Sequence, residues 1–324
     1  MRAATYESTG AAADVLRVRD VDRPVPGPGQ VLVRVAVSAI NPTDLKIRSG
    51  ATPRDIDVFQ VPHMDGAGLI EAVGEGVDEA RIGQRVWLTL AAVQSRWGTA
   101  AQYSVVHADR AMPLPDGASF DLGATVGIPA VTAAHCLFGD GPIGGRDVLV
   151  AGGAGAVGRA AVELAAWAGA RVAATVSGPE KARIAADAGA DLVVNYREAD
   201  AVQRLQEWTN GVDRVVEVAL GPNLDLDLSV SRPGTVIVTY AIDGPDPVIP
   251  VRRCMVAGVA LRFVLLYTVP LEDFAAAVRI VNQALSAGAL TLPAITRFPL
   301  DQVAAAHQAQ ESGAVGRVLV DIPD

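Results

Sequence analysis

The seven residues Gly152-Gly153-Ala154-Gly155-Ala156-Val157-Gly158 constrain this chain more than any other segment. They follow a short apolar run, Val148–Ala151, and open an Ala-rich helix over 158–169 that stops at Gly169. Glycines at 152, 155 and 158 permit a tight turn, let backbone N–H groups reach a pyrophosphate, and let the helix pack close to its strand. The helix N-terminus then offers its partial positive charge to the phosphates. A bare strand–helix turn could also be Gly-rich, but the next hundred residues or so continue the pattern. Strands at Arg171–Thr175, Leu192–Val194, Arg214–Val218 and Thr235–Thr239 alternate with helices at Pro179–Ala188 and Ala199–Trp208. That alternation predicts a doubly wound parallel α/β sheet carrying a dinucleotide. A longer amphipathic helix spans Leu271–Ala287, and a lone strand, Arg317–Val320, ends the chain.

The first 120 residues or so read differently. Short strands at Val31–Val37, Gly68–Val73, Arg85–Leu90 and Tyr103–Val106 lie between Gly and Pro turns, which suggests a barrel-like β domain. The lone final strand could pair back into it. A net charge of −9 without a basic run argues against nucleic acid or an anionic membrane as partner. The apolar stretches Val259–Leu261 and Phe263–Leu266 are too short to span a bilayer, and no signal peptide is visible. Two cysteines, Cys136 and Cys254, make neither a disulfide framework nor a zinc motif and suit a cytoplasmic setting.

The end of the second strand of the sheet speaks to the cofactor. An acid there would bind a ribose 2′-OH and repel a 2′-phosphate. The residues are Thr175-Val176-Ser177-Gly178, and Lys181 and Tyr196-Arg197 lie beyond them. A hydroxyl, an ammonium and a phenol or guanidinium can converge on a 2′-phosphate, so NADPH is expected rather than NADH, with Glu180 the one tempering feature. Lys46 and Lys181 are the only lysines among 27 basic residues, a bias that GC-rich codon usage largely explains.

Several short motifs together are specific: Asn41-Pro42-Thr43-Asp44 with Arg48-Ser49-Gly50, Pro62 with Asp65-Gly66-Ala67-Gly68, and Gly127-Ile128-Pro129 with Thr132-Ala133. Asn195–Glu198, Glu217 with Asn223-Leu224, and Gly313–Arg317 continue the series. In these the chain resembles the zinc-independent quinone oxidoreductases of the zeta-crystallin type, within the medium-chain dehydrogenase/reductase superfamily, over nearly its whole length. The resemblance implies a GroES-like catalytic domain (1–124 and 270–324), a Rossmann NADPH-binding domain (125–269), and a site in the cleft between them. Zinc dehydrogenases of the superfamily carry Cys where this chain has Asn41 and His where it has Met64. An amide and a thioether do not replace a thiolate and an imidazole, so no catalytic zinc is expected. His63, beside the latter position, reads as a loop histidine.

Without a metal, an electron-poor quinone or conjugated carbonyl is the fitting hydride acceptor, because its negative charge delocalises as it is reduced. By resemblance Asn41 is a hydrogen-bond donor beside the nicotinamide, or a turn residue before Pro42. Lys46 stands where relatives carry Tyr, and could donate to substrate or point to solvent. Thr132 lies near the nicotinamide or packs a helix. Ser177, Tyr196, Asn223, Tyr240-Ala241 and Phe263-Val264-Leu265 fall on cofactor contacts, the last group alternatively on sheet core or a subunit interface. A homodimer or dimer of dimers is expected through the apolar edge at 259–266. The alternatives are an enone or enoyl-thioester reductase on the same scaffold, or a non-catalytic, crystallin-like NADPH-binding protein.

Overall fold

The computed structural model describes residues 1–242 and 244–323. The chain divides into two compact units, Met1–Ile128 with Thr291–Asp324, and Pro129–Leu290. In the first, β1 (Arg2–Thr5), the short helix α1 (Ala12–Val15) and β2 (Arg17–Asp20) form a small antiparallel pair. There follow β3 (Gln30–Ala39), α2 (Pro42–Ser49), β4 (Asp65–Val73), β5 (Arg85–Leu88), β6 (Tyr103–His107) and β7 (Ala111–Pro113). β3 is central, pairing antiparallel with both β4 and β6. Its valines 31, 33 and 35 enter the main apolar core with Ile70, Val86, Val318 and Val320. A register shift against β4 between Val35 and Val37 re-aims the strand, and Val37 and Ala39 pack instead with Ala67, Ala124 and Leu319.

The division between units falls inside α3 (Phe120–Phe138). By length and composition this helix could cross a membrane, but 72% of its apolar window is buried inside the fold, so core packing accounts for its hydropathy. In sequence Thr132 already reads as packing a helix, and Gly127 and Pro129 interrupt the apolar run that would show the helix's full length.

The second unit holds β8 (Asp147–Ala151), α4 (Ala156–Trp167), β9 (Arg171–Val176), α5 (Pro179–Asp187), β10 (Leu192–Asn195) and α6 (Ala201–Trp208). It continues with β11 (Val212–Glu217), α7 (Leu220–Ser229), β12 (Ser231–Thr239), α8 (Val251–Ala257), β13 (Ala260–Phe263) and α9 (Leu271–Ser286). All six strands are parallel, in the order β10-β9-β8-β11-β12-β13. Written from the first strand this is 3-2-1-4-5-6, the doubly wound order whose direction reverses between β8 and β11. Leu149, Ala173, Val194, Val215 and Ile237 from its strands share one core with Leu205, Leu220 and Leu224 from helices.

The chain then returns to the first unit with β14 (Ile295–Pro299), α10 (Val303–Glu311) and β15 (Arg317–Asp321). β15 runs parallel to β14 and antiparallel to β3, pairing Leu319 with Ala39. The return begins at Thr291 rather than at 270, because α9 stays with the second unit. An amphipathic pattern tells which face of a helix is buried and not what buries it.

Candidate functional site

In the second unit, the backbone shows why the loop after β8 needs glycine. Gly152 sits at φ +68°, a left-handed conformation that side chains rarely adopt. A Cβ on Gly158 would lie 2.2 Å from the Gly152 carbonyl oxygen, so only glycine lets α4 start this close to the loop. The loop is tied to the second strand, with the Gly153 N–H donating to the Thr175 carbonyl at 3.0 Å. Gly155 caps α4, and the N–H groups of Ala156 and Val157 belong to its first turn. This cradle fits a pyrophosphate: backbone donors at a helix N-terminus, with no acid in the loop.

The residues expected around a 2′-phosphate stand beyond the next two strands. Ser177 is half-buried just past β9, Lys181 is exposed on the first turn of α5, and Tyr196 and Arg197 are exposed past β10. The Arg197 guanidinium lies 5.7 Å from the Tyr196 ring centroid. Among the described residues, neither the Ser177 hydroxyl nor the Lys181 ammonium has a protein partner, so both are open to a ligand. Asn223 is committed: its amide donates to Glu217 Oε1 at 2.9 Å. Tyr240 donates its backbone N–H to the Glu217 carbonyl at 3.2 Å, while burial pushes its phenol far above its ordinary range. Ala241 lies just past it. Phe263 ends β13 at the sheet edge, and Val264 and Leu265 follow it. β13 is three strand positions from β8, about 14 Å by strand spacing. Phe263 is 70% exposed and Leu265 55%, so neither is sheet core. Thr132 is buried within α3.

In the first unit, Asn41 caps α2 and is 1% exposed. Its backbone N–H donates to Asp44 Oδ2 at 2.8 Å. Its side chain donates from Nδ2 to Asp65 Oδ2 at 2.8 Å and accepts at Oδ1 from Arg317 Nη1 at 3.0 Å. Asp65 Oδ2 also accepts the Ile128 N–H at 2.8 Å. Burial pushes Asp44 up to about 8. Burial likewise pushes Asp65 up to about 6, against the pull of Arg317. Lys46, by contrast, is exposed, 200° around α2 from the buried Asp44 at 100° per residue. The helix therefore turns it away from the face that holds Asn41's partners.

A second polar chain begins at the same strand. Thr99 Oγ1 donates to the Asp65 carbonyl, so Ser38 must donate to Thr99, at 2.7 Å. Ser38 then accepts from His63 Nδ1 at 2.8 Å, which leaves His63 Nε2 to accept from His307 Nε2–H at 2.9 Å. Proton counting thus fixes both tautomers. Burial, and each ring's cationic or imidazole neighbour, hold both imidazoles neutral, His307 down to about 3. His63 lies in the loop before β4, as the sequence suggested, but at φ +75° and with its ring buried as an interior hydrogen-bonding group. In the sequence Asp44, Asp65 and Arg317 stand out only as parts of family motifs. The Asn41-x-x-Asp44 capping box could have flagged the first. Nothing local could have brought in Arg317, 276 residues from Asn41. A small cavity beside this cluster is lined by Tyr6, Asp44, Arg54, Gln60, His63 and Met64 among others. Among the described residues, no three His, Cys, Asp or Glu side chains are grouped to hold a metal ion.

Comparison with known proteins gives the same two parts. Residues 27–116 match the alcohol dehydrogenase GroES-like domain, and residues 156–283 the zinc-binding dehydrogenase domain. A quinone oxidoreductase from Lama guanicoe is 31% identical over 99% of this chain and 97% of its own. A mycobacterial protein solved in complex with NADPH is 31% identical, covering 99% of this chain and 100% of that one, with a TM-score of 0.85. An Escherichia coli quinone oxidoreductase, also solved with NADPH, is 25% identical over 99% and 100% of the chains, with a TM-score of 0.84.

Proposed function

The chain belongs to the zinc-independent quinone oxidoreductases of the medium-chain dehydrogenase/reductase superfamily, and from that premise we propose that it reduces a quinone with NADPH as cofactor. The observation that carries this reading is the loop from Gly152 to Gly158, followed by a second strand that ends without an acid. Relatives solved with NADPH support the same cofactor.

Bound there, the cofactor supplies a hydride to the acceptor. The backbone of Gly152, Gly155, Ala156, Val157 and Gly158 holds the pyrophosphate, with the α4 N-terminus countering its charge. Ser177, Lys181, Tyr196 and Arg197 hold the 2′-phosphate by charge-assisted hydrogen bonds. Asn223, Tyr240, Ala241 and the segment Phe263-Val264-Leu265 contact the rest of the cofactor. Asn41 gives an N–H to the acceptor oxygen that becomes anionic, and Thr132 lines the acceptor site, while Lys46, turned to solvent, takes no part in it. Asn41 and Met64, where zinc relatives place Cys and His, favour a metal-free reaction. One proton from solvent then completes the hydroquinone.

Met255 and Val256 on α8, Phe263 at the end of β13 and Leu265 just past it carry exposed apolar side chains. An unpaired, apolar edge strand is a template for another copy, which supports a homodimer or a dimer of dimers. Two free thiols and no disulfide support a cytoplasmic setting.

The test is steady-state oxidation of NADPH and NADH with 1,4-benzoquinone, 9,10-phenanthrenequinone and crotonyl-CoA. Turnover of the quinones with NADPH is expected. Turnover of the thioester alone would reject the quinone reading, and NADPH binding with no acceptor reduced would reject catalysis.

A further inference from the structure

The Asn41 amide is held at both ends by buried charges of opposite sign. Arg317 Nη1 donates to Oδ1 at 3.0 Å, and one Nδ2 hydrogen goes to Asp65 Oδ2 at 2.8 Å. A guanidinium can only donate and an ionised carboxylate can only accept. A flipped amide would set N–H against N–H and oxygen against oxygen, so these partners permit one orientation. Both are buried. Asp65 is fully buried and also takes the Ile128 N–H. Arg317 is 3% exposed at the head of β15, and its backbone N–H bonds to the Ala294 carbonyl at 2.9 Å. Among the described residues, no acceptor is paired with the second Nδ2 hydrogen.

We propose that Arg317 is a positioning residue, which clamps the Asn41 amide so that the site offers one hydrogen-bond donor and selects acceptors that present an oxygen lone pair. This rests on the reading of Asn41 as donor to the substrate oxygen. A carbonyl or quinone oxygen satisfies the remaining N–H, whereas a group that can only donate leaves it buried and unpaired, which weakens binding of such a compound. Arg317 also keeps Asp65 in the form that can only accept. The titratable groups facing Asp65 are the Arg317 guanidinium and the Asp44 carboxyl, which burial pushes up to about 8. Without the guanidinium, Asp65 binds its proton more tightly, becomes a donor itself, and releases the amide to turn. The last strand of the chain therefore sets the polarity of a residue near its start.

The test uses the full chain with Asn41→Ala, Arg317→Gln, Arg317→Lys and the double variant Asn41→Ala/Arg317→Gln. The readouts are kcat and KM for 9,10-phenanthrenequinone, NADPH affinity by fluorescence, and the pH profile of kcat/KM. Arg317→Gln should lower kcat about 10-fold, as a misplaced catalytic contact does, with NADPH affinity unchanged. Arg317→Lys, which still donates, should restore most of it. On the Asn41→Ala background Arg317→Gln should cost nothing further, because there is no amide left to orient. The acid limb of the profile should move to higher pH in Arg317→Gln. Wild-type kcat in Arg317→Gln, or a loss that adds in full on Asn41→Ala, overturns the proposal. If Asn41→Ala alone leaves kcat unchanged, it is the donor reading of Asn41 that fails. If Arg317→Gln does not fold, Asp65→Asn serves instead: asparagine can face either way, and undiminished kcat there also overturns the proposal.

Discussion

Lys46 and Lys181, the only two lysines, have very different settings. Lys181 stands one helical turn from the N-terminus of α5, exposed and without a protein partner among the described residues, as a phosphate ligand should be. Removing one charge-assisted hydrogen bond costs about 1.5–3 kcal/mol. Lys181→Met is therefore expected to raise KM for NADPH about 10- to 100-fold while leaving KM for NADH nearly unchanged. An equal change for both nucleotides would mean that Lys181 does not contact the 2′-phosphate. Asn41 and Lys46 lie five residues apart on one capped helix, and sequence spacing alone treats them as neighbours. The helix rotation separates them: the cap residue turns into the buried polar cluster and Lys46 into solvent.

At the level of single elements, the β11–α7 corner carries a cost that the fold retains. Asp227 on α7 and Glu217 at the end of β11 are both fully buried. Burial and the Glu217 charge hold Asp227 well above the ordinary carboxyl range, so it keeps its proton and donates to Glu217. Glu217 in turn accepts from the Asn223 amide and the Ala219 N–H, which fixes the start of α7. The folded chain thus binds this proton more tightly than the unfolded chain does. The pair's stabilising effect is complete below the unfolded carboxyl value of 3.8 and is lost as pH rises through the raised folded value. Asp227→Asn keeps a donor and removes the ionisation. It is expected to raise Tm near neutral pH by about 3 °C and to flatten the decline of Tm above pH ~5. A lower Tm, with the decline intact, would show that the two acids do not share a proton. None of this was visible in sequence, where Glu217 marked only a family motif and Asn223 was expected at the cofactor.

For the whole molecule, the exposed apolar edge and the residues at the zinc-relative positions make two predictions. Phe263→Asp places a charge on the exposed edge strand and is expected to weaken the proposed self-association, read as a smaller sedimentation coefficient than that of the wild-type chain. A wild-type chain already monomeric at micromolar concentration would reject the edge as an interface. Prolonged treatment with 1,10-phenanthroline is expected to leave quinone turnover unchanged, because the Asn41 oxygen is already taken by Arg317 and Met64 offers only a thioether. Loss of activity, restored by zinc, would overturn the metal-free reading.

The parallel sheet and its phosphate loop were legible in sequence because both rest on local rules. A strand, a turn that only glycine can make, and a helix repeat within about 30 residues. The strands at 148–151, 171–175, 192–194, 214–218 and 235–239 accordingly fall on β8 to β12, the clearest departure being the earlier start of β12 at Ser231. Helices α2, α3, α7 and α10 were harder to read, since short or Gly/Pro-interrupted helices depend on packing more than on periodicity. What only the tertiary structure decided is the polar interior of the first unit. Asn41, His63, Asp65, His307 and Arg317 come from stretches far apart in the chain. Each is costly to bury alone and acceptable only when paired, and the pairing exists only once β15 has returned to β3.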